Sequence, residues 1–253
     1  MLKIGNVKVY DLAESIVASG YAMGLSIFDF KGRVRSFNKY VFLNGNTDWI
    51  KDLIKSDKDK EWQERLFKIA GIESPEDKQK AIQAGNDLKR MMRLVSASKE
   101  SKSVKCHHNA ITGIRVSFDI VYPNYISPQM QRYHWFDIVT SSSKVHRLTS
   151  MDMDACFNEY VTEETKENMK KYIAEYNETK KGKDEEATYK AFMKVLSNCP
   201  QGIELFMRIS TNYMQLQTMY NQRKNHKLKE DWGAFCKFVE TLPLSRELII
   251  GEN

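Results

Sequence analysis

Gln129-Met130-Gln131-Arg132-Tyr133-His134 and Ser142-Ser143-Lys144-Val145-His146-Arg147 are separated by seven residues. Arg132 offers a planar fork suited to phosphate or carboxylate. Tyr133, His134 and Trp135 offer flat faces on which a base or an isoalloxazine ring can stack. The second group adds hydroxyls and further cations. Together these residue types suit an anionic, ring-bearing ligand, a nucleotide or a nucleotide-like cofactor. Read by side-chain chemistry alone, the same pattern also fits an amphipathic helix with core aromatics and a surface arginine.

Composition sets the frame for this segment. The chain has 253 residues, 42% hydrophobic and 28% charged, with a formal net charge of +6. That is enough for one sizeable domain across 1–253, with residues 24–75 as a possible insertion. No apolar run reaches the roughly 18 residues that span a bilayer, and the first residues lack a signal-peptide core. A cytoplasmic protein with no membrane partner is expected. The mild positive charge favours a nucleotide-sized anion, but it is too dispersed for a nucleic-acid-binding face. The Lys224 to Lys229 run reads as a solvated surface.

The elements that must carry the segment are mostly helical. Val7 to Tyr10 reads as a strand, followed by a helix capped by Asp11 with Glu14 three residues on, and closed at Gly20. Residues 24–50 suggest strands around Asn44-Gly45-Asn46, and Trp49 to Lys68 a polar helix. Ser74-Pro75-Glu76-Asp77 opens a helix running to about Val95. Ile114, Val116, Phe118, Ile120 and Tyr122 alternate with more polar positions, the clearest strand in the chain. Ser127-Pro128 starts the helix expected to bear the central segment. Asp152 to Tyr176, Tyr189 to Ser197, Leu205 to Lys229 and the stretch around Trp232 complete the helical elements. The expected class is α+β, a small antiparallel or mixed sheet packed with several helices.

Several chemistries are excluded. The twelve glycines form neither a GxGxxG nor a Walker pattern. There is no GxSxG elbow and no HExxH. Cysteines 106, 156, 199 and 236 are widely spaced and read as reduced thiols. Cys106-His107-His108 is a compact cluster without a second ligand group, so no metal site is expected.

The spacing Gln129-x-x-Arg132-Tyr133-His134, seven residues, Ser142 resembles the signature of the flavin-dependent thymidylate synthases, Gln-x-x-Arg-His-Arg, seven residues, Ser. The strand at Ile114 to Tyr122 precedes it as in that family. His107-His108-Asn109-Ala110-Ile111 is similar to the family's Gly-His-x-x-x-Leu-Glu-His loop. Arg208 to Tyr213 and Tyr220 to His226 resemble its late helix, which ends in Leu-Arg-x-Asp-x-His-Ala-Gln. The likeness covers roughly residues 88–243 and 7–20. This sequence departs at Tyr133 and His134, at Val139-Thr140 where the family carries Asn-Glu, at Lys144 where it carries arginine, and at Val145 where it carries tyrosine.

The resemblance implies the thymidylate synthase-complementing fold, assembled as a homotetramer. It implies reductive methylation of deoxyuridylate, with FAD as cofactor and NADPH and methylenetetrahydrofolate as co-substrates. By position, Arg223 would polarise a carbonyl of the base, and Gln129, Arg132, Ser142, Lys144 and Arg223 would bind the deoxyuridine nucleotide. His107, Arg132, Tyr133, His134 and Asn225 would hold the flavin. The departures leave a second expectation, a protein that binds or sequesters the nucleotide without turning it over.

Overall fold

The computed structural model describes residues 1–21, 73–76, 79, 90–96 and 108–251. The turn at Asn44-Gly45-Asn46, the helix at Trp49 to Lys68 and His107 lie outside the described residues. The described chain is mixed α+β, with a four-stranded sheet ordered β1-β2-β4-β3. These strands are β1 (Lys3–Tyr10), β2 (Arg115–Pro123), β3 (Asp137–Ser141) and β4 (Glu204–Asn212).

Strand β2 forms where the alternation places it, burying Val116, Phe118, Ile120 and Tyr122 on one face. Strand β4 corrects the expectation of a long helix from Leu205. Leu205, Met207, Ile209 and Thr211 are buried while the residues between them face outward. The consecutive apolar and β-branched residues satisfy both a two-residue and a helical period, and pairing with β3 selects the strand. Antiparallel pairing matches Asp137 with Ser210, Ile138 with Ile209, Thr140 with Arg208 and Ser141 with Met207, with a bulge at Val139.

The helices are α1 (Leu12–Ala18), α2 (Ser127–Met130), α3 (Lys144–Arg147), α4 (Glu163–Lys181), α5 (Glu185–Ser197), α6 (Tyr213–Arg223) and α7 (Lys229–Glu240). Residues 75, 76, 79 and 90–95 are also helical. Helix α4 begins later than Asp152: its N-cap is Thr162, whose hydroxyl accepts from the Thr165 N–H. The preceding residues instead form turns and a bridge between Phe157 and Ile203. The helix expected to bear the central segment is a single turn at α2. Residues 131–136 continue as turns, closed by bonds from Tyr133 N to Met130 O and from Phe136 N to Tyr133 O. Met130 and Phe136 are both buried, and six helical positions would turn them onto different faces. Tight turns bring both into the core.

The chain divides into two compact units. The first comprises Met1–Lys8, Ser117–Thr211 and Arg223–Cys236. Its core includes Phe118, Ile126, Met130, Ile209, Trp232 and Phe235. Edge-on aromatic pairs run from Phe118 to Phe136 to Phe235 to Trp232, with centroids 6.1, 6.5 and 5.6 Å apart. The second comprises Val9–Val116, Asn212–Gln222 and Lys237–Asn253. Its core includes Ile16, Val95, Ile114, Tyr213, Leu216 and Leu248. There Asn212 caps α6, its Oδ1 accepting from the Gln215 N–H at 2.9 Å.

Candidate functional site

Within the first unit, the end of α6 meets α2, the turns after it and the start of α7 around one guanidinium. Arg223 Nε donates to the Tyr133 hydroxyl at 2.7 Å, and its Nη1 donates to Gln129 Oε1 at 3.1 Å. The indole N–H of Trp232 donates to the same Gln129 oxygen at 3.1 Å. Arginine and tryptophan are donor-only groups, so their convergence identifies the amide oxygen and turns the Gln129 amide nitrogen the other way. The guanidinium carbon lies 4.4 Å from the Trp232 ring centroid and 5.4 Å from that of Tyr133. Both rings attract the cation through their faces.

Local folding explains the arrangement. Pro128 stands at the start of α2, where it costs no helical hydrogen bond, and buried Met130 pins the turn that presents Gln129. Trp232 is fully buried one turn into α7, with Phe235, Cys236 and Val239 following at helical spacing. Beside it, Tyr125 donates to Asp231 Oδ2 at 2.8 Å.

The electrostatic balance of this cluster is positive. Among the described residues no carboxylate pairs with Arg223. Its Nη2 has no hydrogen-bond partner among them, which leaves both N–H donors of that nitrogen on a half-buried cation. His226 lies 6.1 Å from Trp232, edge-on. Its Nδ1 accepts from the Leu228 N–H at 3.2 Å. Burial first, then the charges of Arg223 and Lys227, hold its imidazole below the ordinary histidine range.

The sequence-predicted residues do not all meet here. Gln129, Tyr133 and Arg223 come together. Arg132 and His134 are exposed on the intervening turns, His134 edge-on to Trp135 at 5.5 Å. Asn225 is exposed just beyond α6, and Lys144 is half-buried at the start of α3. Ser142 lies on the outer face of the sheet. Its N–H donates to Phe206 O at 2.8 Å and its Oγ accepts from Phe206 N at 3.1 Å. It lines a hollow of about 620 Å³ with Lys3, Asp119, Thr140, Phe206 and Arg208, to whose walls Arg223 and Tyr133 do not contribute. The register of β3 on β4 hands Ser142 to the outer face of the sheet, apart from Gln129, Tyr133 and Arg223. Arg208, expected on the late helix, is on β4. It pairs with Asp119 at 3.0 Å, and the bonds from Asn6 and then Arg208 pull the Asp119 carboxyl below its usual range.

Trp232 is a site residue that the sequence reading placed only within a helical stretch. Its amphipathic spacing carries no sign that the indole N–H reaches a glutamine. In the second unit, His108 bonds Val95 O at 2.9 Å and Gln217 Oε1 at 2.8 Å, so both ring nitrogens serve packing. Among the described residues, no three His, Cys, Asp or Glu side chains gather as a metal would require. Burial pushes the Cys156 thiol up to about 11 and also raises Cys199, the opposite of an activated nucleophile. No described helix is long and apolar enough to cross a membrane.

No family model and no curated protein matches the sequence. Among solved structures, flavin-dependent thymidylate synthase ThyX from Helicobacter pylori, complexed with FAD and dUMP, is similar at a TM-score of 0.43. The identity is 13%, over 64% of this chain and 80% of that one. A likeness at this level leaves the family of the chain open.

Proposed function

We propose that the chain is a divergent flavin-dependent thymidylate synthase-like protein that binds a deoxyuridine nucleotide against Arg223 and FAD beside Arg132, Tyr133 and His134. The supporting observation is the guanidinium clamped on one edge by Tyr133 and Gln129, stacked on Trp232, and uncompensated by any described carboxylate. A cation held in this way is pre-organised for an acceptor such as a pyrimidine carbonyl or a phosphate oxygen. The amide nitrogen of Gln129, turned away from its two donors, adds a second donor group. This donor-rich set fits a nucleotide better than a cationic or apolar ligand. Arg132 and His134, exposed next to Tyr133, fit the phosphates and flat ring of a flavin. When bound, FAD would supply hydride chemistry, with NADPH and methylenetetrahydrofolate as co-substrates. The role of the chain would then be to orient the base and stabilise charge on its carbonyl through Arg223. Assembly as a homotetramer belongs to the same reading.

One observation favours a second reading, nucleotide binding without turnover. Ser142, the group expected on the substrate phosphate, faces the outer hollow and is hydrogen-bonded to Phe206. The visible spectrum of freshly purified protein, followed by an assay for thymidylate with FAD, NADPH and the folate supplied, separates the two. Flavin absorbance with product supports the enzyme, and nucleotide binding without product supports the second reading. Absence of both flavin and nucleotide binding ends the proposal.

A further inference from the structure

We propose that His108 is a proton-operated latch. With a proton on each ring nitrogen it ties the helical turn at residues 90–95 to α6 and, through Gln217, to the C-terminal π-helical turn Arg246–Ile250. Losing one proton loosens that C-terminal turn. The inference lies within the second unit and does not depend on the functional reading above. The amide nitrogen of Gln217 donates to Leu248 O at 3.4 Å and to Ile249 O at 3.3 Å. Both carbonyls belong to the last turn of a helix, where the backbone supplies no intrahelical donor. These two acceptors fix the Gln217 amide: its nitrogen faces the turn and its oxygen faces His108.

Gln217 Oε1 meets His108 Nε2 at 2.8 Å, and Val95 O meets His108 Nδ1 at 2.9 Å. Both oxygens only accept, so both ring nitrogens must donate, and a neutral imidazole has a single N–H. With one N–H, either an oxygen faces a ring lone pair, or Gln217 reverses and turns its oxygen on the Leu248 and Ile249 carbonyls. Each outcome removes a bond. Val95 closes the helical turn at 90–95, and a cation is favoured at a helix C-terminus. Among the described residues, the packed elements carry Arg90 and Arg93 before Val95, Arg223 at the end of α6, and Arg246 and Glu247 in the π-helical turn. Neither ring nitrogen bonds to any of them. Leu248 and Ile249 are buried, so loss of the proton frees the backbone of the turn locally and leaves its apolar anchors in place.

NMR of the His108 ring and hydrogen exchange of the Leu248 and Gly251 amides, on the full chain at about pH 5.5 and about pH 8, test the proposal either side of the range in which histidine titrates. These amides bond Leu244 O and Arg246 O, each at 2.9 Å. At the lower pH both ring N–H protons should be observed directly, shielded from solvent by their two bonds. The two amides should there exchange about tenfold more slowly, relative to intrinsic rates, than at the higher pH, the effect of one net hydrogen bond. H108N cannot titrate and should remove this pH dependence. Equal protection at the two pH values in wild type, a dependence that survives in H108N, or a ring with fewer than two observable N–H protons at the lower pH overturns it. Should H108N not fold, the two wild-type readings decide.

Discussion

Arg223 and Trp232 donate to a single oxygen, Gln129 Oε1, each at 3.1 Å, while the guanidinium lies 4.4 Å from the centroid of the indole ring it shares that acceptor with. The tryptophan thus holds the arginine twice, through its ring face and through the glutamine.

The two functions of Trp232 can be separated. W232F keeps an aromatic face and loses the N–H, so it should cost about 1 kcal/mol, the ordinary net worth of one hydrogen bond. W232A also opens a core cavity and should cost about 3–5 kcal/mol. Urea unfolding midpoints at constant slope measure both. Equal costs would mean that the ring contributes no packing here.

His226 reports the charge around Arg223. Its pKa is depressed by burial, Arg223 and Lys227, so the unfolded chain takes up the proton first. The contribution to stability is full above the ordinary imidazole range and is lost as pH falls through that range toward the folded value. H226N should flatten this dependence. An anion seated beside Arg223 offsets the repulsion, so NMR titration of His226 should give a higher pKa with dUMP present than without. An unmoved pKa at saturating nucleotide would place the ligand elsewhere.

Two glycines should respond in opposite directions to alanine. A Cβ on Gly202 would come within 2.6 Å of Val161 Cγ2 and 2.7 Å of Asn158 Oδ1, whereas one on Gly233 meets nothing within 4 Å. G202A should destabilise by about 1–3 kcal/mol through overpacking. G233A, inside α7, should stabilise by about 0.5–1 kcal/mol by restricting the unfolded chain. Thermal midpoints check the pair.

What could be read in advance follows from how local each signal is. Strand β2 was legible because Val116, Phe118, Ile120 and Tyr122 alternate without interruption, and α7 because Trp232, Phe235, Cys236 and Val239 repeat at helical spacing. Strand β4 was not, since its apolar residues satisfy two periods and only its pairing with β3 decides between them. The turns at residues 131–136 were hidden because Phe136 is recruited by core partners distant in sequence, Phe118 and Phe235. In the site, Arg223 and Gln129 were singled out through a resemblance, but their shared partner Trp232 lies 103 positions from Gln129. No local pattern announces an indole N–H aimed at an amide. The face that Ser142 takes is not legible for a related reason: the bulge at Val139 and the register that follows it decide that face, and neither is written in residue spacing.

The central claim is that Arg223 holds an acceptor-bearing nucleotide. Calorimetric titration of dUMP into wild type, R223K and Q129E tests it most directly. R223K loses the Nη2 donors left for a ligand as well as the Nε and Nη1 bonds that orient them, and a charge-assisted hydrogen bond is worth about 1.5–3 kcal/mol, so affinity should fall about 10- to 100-fold. Q129E sets a carboxylate against the guanidinium and should weaken binding similarly. Binding by wild type and a dissociation constant raised about 10- to 100-fold in both variants, each still folded by its urea transition, is the predicted result. Wild-type protein that binds no dUMP, or variants that bind it as tightly as wild type, would contradict the claim.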